Sequence, residues 1–353
     1  MPPLQVALDI TPRTRFELTD VRGHATDMIG DALDRYARCF YSSLHTTAGY
    51  LPQSLQTRLA GGRKGIISYL DVYRALFPER GGYRHDKLGE RTELSAEQRL
   101  REPMNGDSHL MFILSGLRAC VSYRVRPQPV YFIDLDGLCT GTPRCRTTVL
   151  VGYNDEIEVA RTSLRVPVSA HPIEAVSLKD PRYGLQDQLE EFISRHGSGK
   201  ERLRLELAPG EHHACLTVNE YETLLMRHDL TDVLREPFRF AAEKTRHVWN
   251  DPRAVPEKAR AYARYDLFQA VNQLVDVLGL PTSRIEQWIA RRLAVPAERL
   301  FGVKRSIDLL LSDVNQDGRS QIVKGAYQSP ILIHWRTAPH GTRTVNVSLT
   351  QFS

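Results

Sequence analysis

The sequence predicts an α+β protein in which antiparallel β-strands pack against α-helices. Strict alternation of apolar and polar side chains, as at residues 202–207, is typical of a half-buried strand. Apolar residues at helical spacing in 64–77 and 185–196 predict two amphipathic helices. An apolar content of 41% allows a large core, and a charged content of 25% is ordinary for a globular protein.

The same patterns predict the other elements of the first half. Strands are predicted at residues 4–10, 15–18, 39–44, 119–125, 129–135, 146–153 and 156–168. Helical spacing covers residues 20–33. A further helix opens at residues 105–110, because Asp and Ser oxygens can accept the free N–H groups of a first helical turn.

The pattern restarts after residues 169–172, which predicts two domains, 1–168 and 172–353. The second domain carries a helical insertion at about residues 222–300. Its clearest helices are predicted at 266–278 and 283–293. Strands at 307–314, 321–325, 331–335 and 344–349 close the chain, with a hairpin turn at Asp317-Gly318.

Composition and charge narrow the class of protein. The net charge of +5 is spread along the chain without a polybasic block, so a nucleic-acid partner is not expected. Five cysteines without a Cys-x-x-Cys pair argue against a disulfide or zinc-thiolate framework. The N-terminus lacks the pattern of a signal peptide, and no window has the apolar length of a membrane span. We therefore expect a soluble cytoplasmic protein without a membrane partner.

Four motifs of the first half occur in the order and spacing of a known family. They are His-Thr-Thr-Ala-Gly at 45–49, Tyr-Arg-His at 83–85, Gly-Asp-Ser-His-Leu at 106–110 and Val-Tyr-Phe-Ile-Asp-Leu-Asp-Gly at 130–137. Over residues 4–152 the chain resembles the YjbQ family of secondary thiamine-phosphate synthases. The resemblance implies two YjbQ-like domains built as antiparallel β-sandwiches with helices.

The first half departs from the family pattern at two places, and the second half has both missing pieces. Gln53-Ser54 stands where the family has Asn-Glu, and residues 126–129 replace a Gly-Thr-Trp-Gln motif. In the second half, residues 216–220 resemble Leu-Thr-Ile-Asn-Glu and residues 325–328 resemble Gly-Thr-Trp-Gln. The chain therefore resembles a fused tandem pair with a degenerate second copy, in which Glu211 takes the place of the family histidine.

Three histidines in the family motifs are the predicted metal ligands, namely His45, His85 and His109. Three neutral imidazoles suit a divalent ion such as zinc and leave a coordination position open for water or substrate. Sequence separation does not establish that they meet, and only the resemblance implies this. The alternative is three separate, hydrogen-bonded or exposed histidines among twelve.

Three further residues are candidates for proton transfer or orientation, namely Asp107, Glu220 and Asn219. A carboxylate near a metal-bound water can move a proton, and an amide can orient substrate. Asp107 could instead orient a histidine or cap its helix. Glu220 could equally be a surface acid after a strand, and Asp86 is interpreted as a solvated loop acid.

The predicted substrate-binding residues carry hydroxyl or guanidinium groups, and they are Thr46, Thr47, Ser108, Arg144 and Arg146. The hydroxyls could hold a phosphate, and the arginines could bind an anionic group. The alternatives are local hydrogen bonds for the hydroxyls, and solvated residues at a sheet edge for the arginines.

Together these features predict a metal-dependent enzyme that acts on a small, phosphorylated or heterocyclic substrate. Thiamine-phosphate-synthase-like activity and a homo-oligomer around a three-fold axis are what the resemblance implies. Two alternatives stay open. One is a non-catalytic protein that binds a metal or ligand, and the other is an enzyme with histidine as acid and base but no metal.

Overall fold

The computed structural model of the chain describes residues 1–59, 62–139, 141–250, 301–313 and 320–353. It divides into two compact units. The sheet unit comprises Met1–Gln53, Gly116–Tyr221 and Val303–Ser353, and the helical unit comprises Ser54–Ser115 and Glu222–Gly302. The predicted domain boundary at residues 168–172 stays a prediction.

All described strands belong to the sheet unit. They are β1 (Leu4–Ile10), β2 (Glu17–Asp20), β3 (Arg38–Ser43), β4 (Ala48–Gly49), β5 (Cys120–Arg124), β6 (Tyr131–Asp134), β7 (Leu138–Cys139), β8 (Thr142–Pro143), β9 (Arg146–Tyr153), β10 (Glu156–Pro167), β11 (Glu174–Ser177), β12 (Glu201–Leu207), β13 (Ala214–Asn219), β14 (Ser306–Ser312), β15 (Gln321–Val323), β16 (Ser329–His334) and β17 (Thr342–Phe352).

The described α-helices are α1 (Val21–Ile29), α2 (Gln53–Arg58), α3 (Arg63–Leu76), α4 (Ala96–Arg101), α5 (Gly106–Leu114), α6 (Leu185–His196), α7 (Leu230–Arg235) and α8 (Pro237–Asn250). A π-helical turn, Leu225–Asp229, precedes α7. Of these helices, α1 and α6 lie in the sheet unit.

The strands form antiparallel sheets, which confirms the predicted α+β class. One sheet has the order β1-β9-β3-β5 and another β10-β17-β12-β14-β15. Two three-stranded sheets have the orders β2-β6-β4 and β11-β16-β13, and β7 pairs with β8. Strand β1 buries Val6, Leu8 and Ile10 on one face, as the alternating pattern predicts.

The strand order of the first half of the sheet unit recurs in its second half. Replacing β1, β9, β3 and β5 by β10, β17, β12 and β14 reproduces one sheet, and β2-β6-β4 corresponds to β11-β16-β13. The cross-strand hydrogen bonds recur as well. The Leu44 N–H donates to Thr147 O (3.2 Å), and the Ala208 N–H donates to Thr344 O (3.0 Å).

A hydrophobic core joins α1 to the first-half strands of the sheet unit. Its buried side chains include Leu8, Tyr41, Val121, Phe132 and Leu150. Interdigitated apolar side chains of this kind supply most of the driving force for folding. This core holds the ends of β3 and β9, where the predicted site residues of the sheet unit begin.

Several sequence predictions coincide with the observed elements. The strands at 4–10 and 146–153 and the helix at 185–196 have the predicted bounds. Helix α6 buries Leu185, Leu189 and Phe192, at the spacing of one helical face. The predicted helices at 266–278 and 283–293, the turn at Asp317-Gly318 and most of the insertion at 222–300 lie outside the described residues.

The start of α5 corrects one interpretation made from the sequence. The helix begins at Gly106 with Asn105 in the cap position, so Asp107 and Ser108 lie inside its first turn. The Gly106 N–H donates to Asp86 Oδ1 at 2.9 Å. Asp86 is half-buried and is not the solvated loop acid that we expected.

Candidate functional site

In the sheet unit, His45 follows the end of β3 and is held by local hydrogen bonds. Its N–H donates to Ser43 Oγ at 3.2 Å, and its Nε2 accepts the Thr147 N–H at 2.7 Å. Because Nε2 is an acceptor, we assign the ring proton to Nδ1. Burial, and then the charges of Arg146 and Arg144, lowers the pKa of His45 to about 3. The ring is therefore neutral near pH 7.

Two side chains from the second half of the sequence contact the backbone beside His45. Asn219 Nδ2 donates to Thr46 O at 2.9 Å. Gln328 Nε2 donates to both Ser43 O and His45 O, each at 2.9 Å. Asn219 and Gln328 stand in the two family-like motifs that the first half lacks. The structure thus brings these motifs to the His-Thr-Thr segment within the sheet unit.

Glu220 lies next to this contact and is half-buried. Its N–H donates to Asn219 Oδ1 at 2.9 Å, so the amide of Asn219 links Glu220 to Thr46. Sequence reasoning named Asn219 and Glu220 as site residues but did not name Gln328. The signal was present, because Gln328 ends the motif at residues 325–328.

Arg146 is a buried residue, so the alternative of a solvated sheet edge is wrong for it. Its Nε and Nη2 donate to the two carboxylate oxygens of Asp134 at 2.7 and 2.8 Å. Thr47 Oγ1 lies 3.5 Å from Nη2. Arg144 is about a third exposed (32%) and forms an ion pair with Asp136. The predicted binding of an anionic substrate by the two arginines stays a prediction.

The second half of the sheet unit contains an equivalent arrangement with Glu211 in place of His45. The Thr344 N–H donates to Glu211 Oε1 at 2.8 Å, as the Thr147 N–H donates to His45 Nε2. The resemblance to the YjbQ family predicts that Glu211 takes the position of the family histidine. Glu211 and His45 each accept the backbone N–H of a threonine, Thr344 and Thr147 respectively.

Each half has a buried arginine, Arg146 or Arg343, and the carboxylate that pairs with it comes from a different position in each half. In β6 and β16, Asp134 and His334 occupy the same register position, opposite Ala48 and Ala214 respectively. Arg343 donates to Glu211 Oε2 at 2.9 Å, whereas Arg146 donates to Asp134. In the first half the imidazole (His45) follows β3 and the acid (Asp134) lies on β6. In the second half the acid (Glu211) follows β12 and the imidazole (His334) lies on β16.

This exchange leaves Arg343 Nε without a hydrogen-bond partner among the described residues. The corresponding atom of Arg146 donates to Asp134. His334 is fully buried, and its Nδ1 lies 2.9 Å from Arg336 O. Its imidazole replaces the carboxylate that would accept the proton of Arg343 Nε.

In the helical unit, His85 and His109 lie side by side. Their ring centroids are 4.9 Å apart and their planes meet at 63°. His85 is fully buried, with Nδ1 3.1 Å from Glu222 Oε2 and Nε2 3.0 Å from Asn105 Oδ1. Both ring nitrogens of His85 are therefore engaged by protein oxygens.

The charges of His85 and Glu222 stabilise each other. Burial alone would lower the pKa of His85, but the hydrogen bond with Glu222 and the charge of Asp86 raise it above its ordinary value. Burial would raise the pKa of Glu222, but His85 and the N–H groups of Leu224 and Leu225 lower it. The contact therefore favours the charged forms of both groups, relative to burial alone.

Glu222 and Asp229 belong to this cluster, and sequence reasoning missed both. Glu222 accepts the N–H groups of Leu224 and Leu225, each at 2.6 Å, where a helix begins. Asp229 ends the π-helical turn and accepts the His85 N–H at 2.9 Å. An acid before a helical segment was a possible signal for Glu222, but nothing in the sequence marked Asp229.

Two other carboxylates near His85 are affected by burial. Burial raises the pKa of Asp86 to about 6, although the Gly106 N–H acts against this. Burial also raises the pKa of Asp229, against the N–H of His85 and the charge of Lys244. Asp107 and Ser108 are buried within α5, and their predicted roles stay predictions.

The three predicted metal ligands are divided between the units. His45 lies in the sheet unit, and His85 and His109 lie in the helical unit. Among the described residues, no group of three or more His, Cys, Asp or Glu side chains is arranged to hold a metal ion. In the structure both ring nitrogens of His85, and Nε2 of His45, are engaged by protein atoms. Metal binding by the three histidines stays a prediction.

No helix in the described part of the chain is long and apolar enough to cross a membrane. No protein-family model matches the sequence, and no curated protein matches it.

Several solved structures are similar to the chain. One is a YbjQ-like protein of unknown function from Sulfolobus solfataricus (15% identity, TM-score 0.30, 56% of this chain and 99% of that one). A second is a hypothetical protein from Aeropyrum pernix K1 (16% identity, TM-score 0.28, 55% and 98%). A third is a structural-genomics target from C. acetobutylicum (11% identity, TM-score 0.24, 54% and 100%).

Proposed function

We propose that the protein is an enzyme that acts on a small molecule and uses His85 to transfer a proton. The observation that carries this proposal is the buried hydrogen bond between His85 Nδ1 and Glu222 Oε2 (3.1 Å). A carboxylate on one ring nitrogen fixes the tautomer of a histidine and stabilises the imidazolium that forms during proton transfer.

Each member of the cluster has a distinct role in this proposal. Glu222 holds the Nδ1 proton, and Nε2, which faces Asn105 Oδ1 at 3.0 Å, exchanges a proton with the substrate. A substrate oxygen or nitrogen takes the place of Asn105 at Nε2. Asp229, bound to the His85 N–H, fixes the backbone from which the ring projects.

The substrate class rests on the sequence resemblance. We propose a phosphorylated or heterocyclic substrate and thiamine-phosphate-synthase-like activity, because the motifs at 45–49, 83–85 and 106–110 are similar to those of the YjbQ family. The resemblance also underlies the proposals of a homo-oligomer and of zinc as a cofactor, whereas the proposed cytoplasmic location rests on the composition of the sequence. Light scattering tests the oligomer, and elemental analysis of the purified protein tests for zinc.

We further propose that the chain is a tandem pair of YjbQ-like copies that divide one function. The recurring strand order and the shared backbone donors of Thr147 and Thr344 support a duplication. The contacts of Asn219 and Gln328 with the backbone at residues 43–46 support a division of labour. In this proposal the second copy supplies the amides that the first copy lacks.

The experiment compares the wild type with His85→Gln and Glu222→Gln. Formation of thiamine phosphate from its pyrimidine and thiazole precursors is measured first, followed by turnover of a panel of phosphorylated heterocycles. Loss of the proton-transfer group should reduce kcat by about 10²–10⁴-fold. His24→Gln is the matched control, because His24 is exposed on α1.

Folding and activity are separated by circular dichroism of every variant. A folded His85→Gln protein that keeps the wild-type kcat would contradict the proposal. So would a Glu222→Gln protein whose pH–rate profile is the same as that of the wild type, since removal of the carboxylate must lower the pKa of His85.

A further inference from the structure

A tight turn in the sheet unit lies between two lysines. The Gln328 N–H donates to Gly325 O at 3.2 Å, and Gln328 Oε1 accepts the Gly325 N–H at 3.0 Å. Lys324 directly precedes this turn and is exposed. Lys179, which follows β11, donates from Nζ to the carbonyl oxygen of Gln328. Lys324 thus precedes the turn, and the ammonium group of Lys179 is bound at the last residue of the turn.

The two ammonium groups have no acidic partner among the residues that the structure describes. Neither Lys179 nor Lys324 forms an ion pair with an Asp or Glu there. Lys179 is half-buried, and burial followed by the charge of Lys324 lowers its pKa to about 8. The two positive charges are therefore close enough to repel each other.

In the first half of the sheet unit, the residue equivalent to Lys179 has an acidic partner. The Val21 N–H donates to Val130 O (3.0 Å), and the Leu178 N–H donates to Pro330 O (2.9 Å), so Arg22 corresponds to Lys179. Arg22 is paired with Asp34 at 2.5 Å. The cation of the first half thus has an acidic partner, whereas Lys179 has none within the described ranges.

Space for a ligand adjoins Lys324. A partly open cavity of about 430 Å³ lies between α6 and the segment around β15. Its lining residues are Gln186, Glu190, Ile193, Ser194, Ser320, Gln321, Ile322 and Lys324. The acid among them, Glu190, accepts a hydrogen bond from Gln186. A cavity of this size accommodates a small phosphorylated molecule.

We propose that Lys179 and Lys324 bind a phosphate group, with the body of the ligand in the adjoining cavity. Lysine binds phosphate as a compact point charge with several donors, and two such charges match a dianion. Bound phosphate replaces the repulsion between the ammonium groups by attraction to both. The site lies in the sheet unit and is independent of the proton-transfer function proposed for His85.

Phosphate binding to the full-length protein tests this site. The probes are inorganic phosphate and phenyl phosphate, titrated by calorimetry and by NMR of ¹³C-labelled lysine side chains. We expect saturable binding of at least one probe and an increase in the pKa of Lys179 when it is bound. Phenyl phosphate as the tighter ligand supports a phosphate ester, and inorganic phosphate as the tighter ligand supports the free anion.

The variants Lys179→Gln and Lys324→Gln should each weaken binding at least about tenfold, the usual effect of losing one hydrogen bond to a charged group. Lys324 is exposed, so its substitution should leave folding unchanged. The control is Lys64→Gln, an exposed lysine on α3. The absence of saturable binding by the wild type, or equal binding by Lys324→Gln, would overturn the proposal.

Discussion

His45 and His85 show how strongly the surroundings of a residue determine its charge. Both are histidines in family-like motifs, and the sequence predicts both as metal ligands. Burial and the nearby arginines lower the pKa of His45, whereas Glu222 raises the pKa of His85 against the effect of burial. The difference is electrostatic and depends on residues distant in sequence.

The low pKa of His45 predicts a loss of stability in acid. In the fold this ring is neutral down to a pKa of about 3, whereas the unfolded chain binds the proton near pH 6.5. The unfolded state therefore binds more protons between these values, and this contribution to stability disappears as the pH falls through that window. Urea unfolding of the wild type and His45→Gln at several pH values measures it.

His45→Gln should have a shallower loss of stability than the wild type as the pH falls from about 6.5 towards 3. The amide oxygen of Gln can still accept the Thr147 N–H, so folding should persist. His24→Gln, at an exposed position, should keep the wild-type slope. Parallel pH profiles for the wild type and His45→Gln would contradict the prediction.

The His85–Glu222 pair predicts a different dependence on pH. Because the pKa of His85 is raised in the fold, its contribution to stability is lost as the pH rises through that pKa. Because the pKa of Glu222 is lowered, its contribution is lost as the pH falls through its folded value. Stability from this pair is therefore greatest between the two.

Glu222→Gln should reduce the free energy of unfolding by up to about 3–5 kcal/mol near neutral pH, since it breaks a buried charge pair. It should also lower the pKa of His85, which NMR titration of the imidazole measures. An exposed pair on α8, Arg239 with Glu243, provides the comparison. Glu243→Gln should change stability by less than about 1 kcal/mol.

At the scale of elements, Gly325 determines how closely the turn at residues 325–328 approaches the end of β3. A Cβ atom on Gly325 would lie 1.9 Å from the carbonyl oxygen of Leu44, which precedes His45. The requirement is close approach of two backbones, because Gly325 does not have a positive φ. This approach allows the side chain of Gln328 to reach Ser43 O and His45 O.

Gly325→Ala should therefore destabilise the protein by about 1–3 kcal/mol or more, as expected for an overpacked contact. It should also expose the backbone amides near His45 to faster hydrogen exchange. The matched control is Gly210→Ala, where an added Cβ meets no atom within 4 Å. Equal melting temperatures for the two variants would contradict the prediction that a Cβ atom at residue 325 destabilises the protein.

Elements with a strong local pattern were predictable from the sequence, and the contacts between elements were not. The bounds of α6 followed from its periodicity, because one face of the helix meets the core, and those of β9 followed from a short run of strand-forming residues that is buried on both faces. The hydrogen bond of Asp86 with Gly106 joins a loop to a helix start twenty residues later. No local pattern specifies such a pairing.

At the scale of the whole molecule, the sheet unit places two buried arginines in corresponding positions. Arg146 is paired with Asp134, which is buried, and Arg343 is paired with Glu211, whose side chain is 15% exposed. Removal of either arginine leaves a carboxylate without its charge partner. The cost should be larger in the first half, where water cannot reach the acid.

Arg146→Met should accordingly cost about 3–5 kcal/mol of folding free energy, the usual cost of leaving a buried charge unpaired. Arg343→Met should cost less, because Glu211 is partly hydrated and still accepts the Thr344 N–H. Chemical denaturation of both variants measures the difference. A larger loss for Arg343→Met than for Arg146→Met would contradict this prediction.

The sequence by itself determined the α+β class and the bounds of the strongly periodic elements. These depend on local patterns, which a linear chain records directly. Only the tertiary structure decided that Asn219 and Gln328 contact the backbone beside His45, and that Glu222 and Asp229 hold His85. Those contacts join residues more than a hundred positions apart, and their energy depends on burial that no sequence pattern specifies.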